Sequence, residues 1–114
     1  MLTIGPIRID LARRVVTHLD GKLIPLTGAE FRVVQALAVA HGRDLTRETL
    51  TRVALHRSLN TFDRSIDQLV FGLRRKLPMD QHGMPLIQTV RGVGYWMQAP
   101  DQAEAAAVPD CLAA

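Results

Sequence analysis

The sequence predicts an α+β fold, with strands first, three helices next and a β-hairpin last. Three observations carry that reading. Apolar and polar residues alternate near the N-terminus, apolar residues recur at helical spacing through the middle, and a second alternating stretch near the C-terminus is broken by Gly-x-Gly.

Ile7, Ile9 and Leu11 alternate with Arg8, Asp10 and Ala12, the period-two pattern of a half-buried strand. Val15–Leu19 reads as a second strand. Asp20-Gly21 reads as a hairpin turn, because glycine accepts the positive φ such turns need. Lys22–Leu26 returns as a third strand, with Pro25 near its end or on an edge since it has no N–H to donate. Thr27-Gly28-Ala29-Glu30 is a capping box: the threonine hydroxyl takes the third helical N–H and the glutamate reaches back to the cap. Phe31, Val34, Leu37, Ala38 and His41 follow at helical spacing, and Gly42 is expected at C′. After a short Asp44-Leu45 link, Thr46 caps a second helix over Arg47–Leu55, with Leu50 and Val53 expected to face inward. His56–Asn60 reads as a polar loop.

A third helix is expected from about Thr61 to Leu77, with Asp63 at its positive end and Pro78 stopping it. Met79–Pro85 is a connector. Leu86–Val90 and Tyr95–Gln98 then form a hairpin around Arg91-Gly92-Val93-Gly94. Two short helices, a tight link, a longer helix and a hairpin amount to a winged helix-turn-helix behind an N-terminal antiparallel sheet. The expected division is a domain over residues 1–98 and an acidic, Ala-rich, disordered tail over 99–114.

At 114 residues there is room for one domain, and 47% apolar with 22% charged residues is enough to build a core, which sets the body apart from disordered chains. No stretch is long and apolar enough to span a membrane, and the N-terminus has no signal-peptide pattern. Cys111 alone supports neither an internal disulfide nor a zinc site. Residues 1–98 hold all 14 basic residues against 8 acidic ones, a surplus of six that suits a polyanionic partner as well as a plain basic surface.

On a helical wheel Ile66, Leu69, Val70, Leu73 and Leu77 share one side, a core stripe. The opposite side collects Arg64, Gln68, Phe71 and Arg75, with Gly72 at its margin, Arg74 on one flank, and Ser65 and Lys76 near the other. Arginine can bond guanine O6 and N7, glutamine can bond adenine N6 and N7, and an aromatic edge can touch a thymine methyl. The same face also fits an ordinary solvated helix surface. Phe71 fits burial against the hairpin or a loop, as well as contact with DNA or a protein. Gly72 permits close approach of another surface. Arg91 at the hairpin tip is placed to enter a minor groove or clamp a phosphate, or is simply an exposed turn residue. Gly92 and Gly94 read as turn residues. Catalysis is the least expected class. His18, His41, His56 and His82 are scattered without metal-ligand spacing, no nucleophile motif occurs, and Asp63 and Asp67 read as a helix N-terminal charge and an intrahelical partner for a base.

DRSIDQLVFGLRRKL followed by LIQTVRGVGYWM, with the earlier IPLTGAEFRVVQALAVAHGRDLTRETL, resembles the DNA-binding effector domain of OmpR/PhoB-type bacterial response regulators over roughly residues 7–98. The resemblance implies four N-terminal strands, a third helix that reads the major groove, and a wing on the minor groove or backbone. Carried over by position, it gives Arg64 and Ser65 phosphate or base contacts and places Gln68 and Gly72 at base edges. It puts Arg74 on the backbone and makes Thr89 and Arg91 wing contacts, with Tyr95 as the aromatic after Gly-x-Gly. The loop His56, Arg57, Ser58, Leu59 and Asn60 matches a segment that can touch RNA polymerase. Phe71 and Gly72 depart from the charged or polar residues usual at their positions, and Val53-Ala54-Leu55-His56 lacks a tryptophan often found there. The implied partners are double-stranded DNA with a direct-repeat operator, RNA polymerase, and a receiver domain and sensor kinase in a full-length protein. A monomer alone and a tandem dimer on DNA are expected, in a bacterial cytoplasm, with no cofactor, metal or membrane. No receiver fits before residue 7, so an isolated effector domain or a stand-alone member is expected. The alternative is a winged-helix protein-interaction module without specific DNA binding.

Overall fold

The computed structural model describes residues 2–56 and 64–100. In chain order it has strands β1 (Leu2–Ile4), β2 (Ile7–Asp10), β3 (Val15–His18) and β4 (Leu23–Ile24), helix α1 (Gly28–Val39), strand β5 (Leu45–Thr46), helices α2 (Arg47–Leu55) and α3 (Ser65–Lys76), and strands β6 (Ile87–Val90) and β7 (Gly94–Met97). The first four strands form an antiparallel sheet in the order β1-β2-β3-β4. Ile7 opposes His18 and Ile9 opposes Val16, so the alternation puts Ile7, Ile9 and Val16 on one buried face. The residues predict three of these strands, one from its alternation and the next two from their place on either side of the Asp20-Gly21 turn. β1 has only three residues, too few to show a period, and follows instead from the fourth strand implied by the resemblance. Gly21 turns between β3 and β4 at φ 94. Pro25 stands just beyond β4, the edge strand, where no ladder donor is lost.

The capping box forms as expected: Thr27 Oγ1 accepts from the Glu30 N–H at 3.2 Å, and the Thr27 N–H donates to Glu30 Oε1 at 2.9 Å. α1 buries Phe31, Val34, Leu37 and Ala38 against the sheet and the other helices. It stops earlier than expected. Ala40 is the C-cap, His41 rather than Gly42 occupies C′ with φ 53, and Gly42 follows with φ 85. Two successive left-handed residues swing the chain into β5. The Asp44-Leu45 link expected from the sequence is therefore partly strand. Leu45 and Thr46 oppose Tyr95 and Gly94, giving a three-stranded sheet β5-β7-β6.

In α2, Thr46 Oγ1 accepts from the Thr49 N–H at 3.0 Å. Leu50 is buried, but Val53 is 41% exposed, against expectation. The inner face is centred between Leu50, Thr51 and Ala54, which leaves Val53 more than a quarter-turn away. Thr51 fits inside because its hydroxyl donates to the Arg47 carbonyl at 2.7 Å. In α3, Ile66, Val70 and Leu73 are buried and Leu69 packs at the core margin. Leu77 adopts ψ 144 ahead of Pro78, the extended geometry that proline imposes on the residue before it. The expected first turn, Thr61–Asp63, lies outside the described residues, as do residues 101–114 of the tail expected over 99–114. The three helices and both sheets share one core.

Candidate nucleic-acid interface

α3 presents its outer side to solvent. Arg64 is the N-cap, at φ −110 and ψ 9, with no side-chain cap of its own. Arg64, Gln68, Phe71 and Arg75 are all exposed and recur at intervals of four, three and four, which is one face of a helix. Phe71 is 62% exposed, which decides between the two readings of that residue in favour of solvent over burial. The Arg75 guanidinium lies over its ring, 5.7 Å from the centroid. Ser65 is half-buried at the start of the helix.

Gly72 makes room for a side chain of α1. A Cβ there would lie 3.2 Å from Glu30 Oε2, so the close approach that glycine permits is to α1 within the molecule. Glu30 is itself buried and receives Lys76 Nζ at 2.7 Å. Burial pushes the Glu30 carboxyl up, but the Lys76 ammonium and the Thr27 cap bonds outweigh it and hold the carboxyl below its usual range. Lys76, expected on a flank, is thereby tied across to α1.

Arg74 and Thr89 are bonded to each other. Arg74 Nε donates to the Ile87 carbonyl at 2.9 Å, its Nη2 donates to Thr89 Oγ1 at 2.7 Å, and its guanidinium lies 5.7 Å from the Tyr95 ring centroid. This arginine stitches α3 to the wing. Its Nε–H and one Nη2–H, on the side chain that the resemblance places at the DNA backbone, are engaged inside the molecule. Asp67 is likewise not an intrahelical partner. It accepts Arg47 Nη2 at 2.7 Å from α2 and the Tyr95 hydroxyl from β7. Burial pushes the Asp67 carboxyl up, and the bonds from Arg47 and Tyr95, with the charges of Arg47 and Arg64, more than reverse that. Burial first, then the bond to Asp67 and its charge, raise the Tyr95 phenol to about 12, so it remains a donor. Arg47 and Tyr95 were not read from the sequence as partners of Asp67. An aspartate one position from the core-facing Ile66 was the available signal.

The wing tip is the turn Val90–Val93, closed by the Val93 N–H to the Val90 carbonyl at 3.0 Å. Gly92 takes φ 75 at its third position, and Arg91 is exposed beside it. Gly94 has a different duty: a Cβ there would sit 2.0 Å from the Leu45 carbonyl oxygen, so only glycine lets β5 close onto β7. Between wing and helices lies a cleft of about 420 Å³ lined by Thr46, Arg47, Asp67, Thr89, Gly92 and Tyr95. His56 is exposed in the left-handed region with φ 57, and Arg57, Ser58, Leu59 and Asn60 lie outside the described residues. Among the described residues no group of His, Cys, Asp or Glu could hold a metal, and no helix is long and apolar enough to cross a membrane.

Residues 21–97 of this chain match the family described as transcriptional regulatory protein, C terminal. The chain belongs to that family. It is the OmpR/PhoB-type C-terminal DNA-binding domain, and its fold is a winged helix. The transcriptional regulatory protein CpxR of Escherichia coli (strain K12) is 44% identical over 78 residues, covering 68% of this chain and 34% of that protein. The regulatory protein VirG of Agrobacterium fabrum is 37% identical over 91 residues, covering 80% of this chain and 36% of that protein. The chain thus spans about a third of the length of these relatives. The crystal structure of the DNA-binding domain of CpxR from E. coli superposes with a TM-score of 0.79 at 35% identity, covering 88% of this chain and 97% of the other. The Klebsiella pneumoniae RstA DNA-binding domain, solved in complex with the RstA box, gives 0.74 at 30% identity over 85% and 95% of the two chains.

Proposed function

We propose that this domain binds double-stranded DNA sequence-specifically and acts in transcription regulation as the effector domain of a two-component response regulator. The observation that carries the reading is the exposed Arg64–Gln68–Arg75 face of α3, set beside a wing that ends in Arg91. Helix and wing are joined through Arg74, so both can meet one duplex together. Arg64, Ser65, Gln68, Phe71 and Arg75 would lie in the major groove, and Arg91, with the exposed Thr89, on the minor groove or backbone. The surplus of six positive charges over residues 1–98 supplies a sequence-independent attraction. The RstA and AdeR domains, which share this fold at 30% and 25% identity, were solved with an RstA box and an intercistronic region, respectively, and that supports the reading.

A receiver domain and a sensor kinase act upstream in the full-length regulator. The isolated domain is a monomer that pairs in tandem on direct repeats, the His56–Asn60 loop meets RNA polymerase, and the setting is a bacterial cytoplasm. Selection from random duplex DNA at about 0.15 M salt tests the central claim. Enrichment of direct repeats spaced by about 10–11 base pairs is expected, one helical turn apart. Binding without enrichment that vanishes as salt rises would leave only the electrostatic attraction. A second reading, a protein-interaction module, is favoured by one observation, the 62% exposure of Phe71. It predicts that Phe71→Ser loses a protein partner while DNA affinity stays intact.

A further inference from the structure

Phe71 is the one residue of the outer α3 face whose chemistry sets it apart from its neighbours. Arg64, Gln68 and Arg75 carry hydrogen-bond donors, and they flank an aromatic ring that is 62% exposed. Large apolar side chains reach this degree of exposure elsewhere in the molecule, at Leu23 and Met79 for example, but not on the α3 face that carries Arg64, Gln68 and Arg75. Phe71 lies three residues after Gln68 and four before Arg75, so it sits between them along the helix. The Arg75 guanidinium, 5.7 Å from the ring centroid, holds the ring along that row.

A groove that accepts the row must offer the ring an apolar partner. Duplex DNA presents one such group in the major groove, the C5-methyl of thymine. We infer that Phe71 is a specificity-determining residue that selects thymine by contact with its C5-methyl, next to the base pair met by Gln68. This rests on the DNA-binding reading and adds to it the identity of one base. A glutamine and a phenylalanine one helical turn apart on the same face predict a thymine beside the position that Gln68 reads. No neighbouring side chain need move, since the ring is already outside the core.

The test uses the duplex recovered by selection. Each thymine is replaced in turn by deoxyuridine, which removes only the methyl, and affinity is measured for the native chain and for Phe71→Ala and Phe71→Leu. One position is expected at which deoxyuridine costs the native chain about fourfold, the value of one buried methyl group. Phe71→Ala should show no cost there while keeping the cost of changing other base pairs, and Phe71→Leu should keep part of it. Circular dichroism of the variants guards against unfolding, which an exposed site makes unexpected. Equal tolerance of deoxyuridine everywhere in the native chain, with a specific duplex still selected, would overturn the thymine assignment and leave DNA binding standing. Selection of no duplex would overturn DNA-binding specificity itself, and the thymine assignment with it. Loss of a protein partner by Phe71→Ala, with the deoxyuridine profile unchanged, would overturn the assignment in favour of a protein contact.

Discussion

Two glycines and one glutamate show how single residues set the frame of the candidate site. At Gly94 the backbone of β5 comes so close that a Cβ would sit 2.0 Å from the Leu45 carbonyl oxygen and 2.9 Å from Thr46 Cα. Both obstacles are backbone and cannot rotate away. Gly94→Ala is expected to cost at least 1–3 kcal/mol, roughly the range for overpacked interiors, and to split β5 from β7. A urea denaturation midpoint unchanged from that of the native chain would contradict this. At Gly72 the obstacle is the flexible end of Glu30, 3.2 Å away, so alanine there should be milder. Glu30 also sets an acid limit. Its folded carboxyl lies below the ordinary 4.5, so the stability it contributes is fully present above about that value and is lost as pH falls through the folded value. Stability should therefore decline on acidification below pH 4.5, and Glu30→Gln should flatten that part of the profile while lowering stability near neutrality. A decline of the same steepness in the variant would mean that the loss arises at other carboxylates, Asp67 among them.

At the scale of elements, Asp67 joins three of them: α3 carries it, α2 supplies Arg47 and β7 supplies the Tyr95 hydroxyl. Arg74 makes the second tie from α3, to β6 and to the ring of Tyr95. α3 and the wing are thus tied by polar side chains in addition to the core, in which Ile66, Val70 and Leu73 of the helix and Ile87, Tyr95 and Met97 of the wing are buried together. Tyr95→Phe removes one donor and leaves the ring in place. It is expected to cost about 1–2 kcal/mol, as for a hydrogen bond to a charged acceptor, and to raise the Asp67 carboxyl toward its ordinary value. A carbon-detected NMR titration of Asp67 in the two proteins decides the point, and an unchanged midpoint would show that the arginines, Arg47 and Arg64, hold it down without the tyrosine. Local chemistry announced much of the element order. The Thr27 capping box, the Ile66-Val70-Leu73 stripe, the stop at Pro78 and the turn at Arg91-Gly92 each act within a few residues of chain, and each formed. What stayed hidden depends on groups distant in sequence. The two-residue strand β5 has no period and exists because Gly94, some fifty positions on, admits it. Val53 turns outward because α2 packs against α1 through Leu50, Thr51 and Ala54. Arg74 and Asp67 look like surface charges in the sequence, and only their proximity to β6 and β7 makes them braces.

Across the whole molecule, positive charge and shape coincide. The exposed arginines Arg64 and Arg75 lie on α3 and Arg91 at the wing tip, and the ties through Arg74 and Asp67 hold these two elements as one unit. A unit of this kind approaches a duplex with helix and wing already spaced, so no ordering of the hairpin need accompany binding. Arg91 then isolates the electrostatic part of the interaction from the sequence-reading part. Its side chain is exposed on a turn closed by backbone and glycine geometry, so removing it should leave the fold intact. Arg91→Ala is expected to weaken binding to every duplex alike and to lower the magnitude of the salt slope, d log K/d log[salt], by about 0.9, the release of one counterion equivalent from B-DNA. Titrations at several salt concentrations, with the selected duplex and with a scrambled one, measure both quantities. An unchanged slope would remove Arg91 from the phosphate contacts. A loss confined to the selected duplex would instead make it a reader of groove width, since a narrow minor groove attracts an inserted arginine only where the sequence makes it narrow.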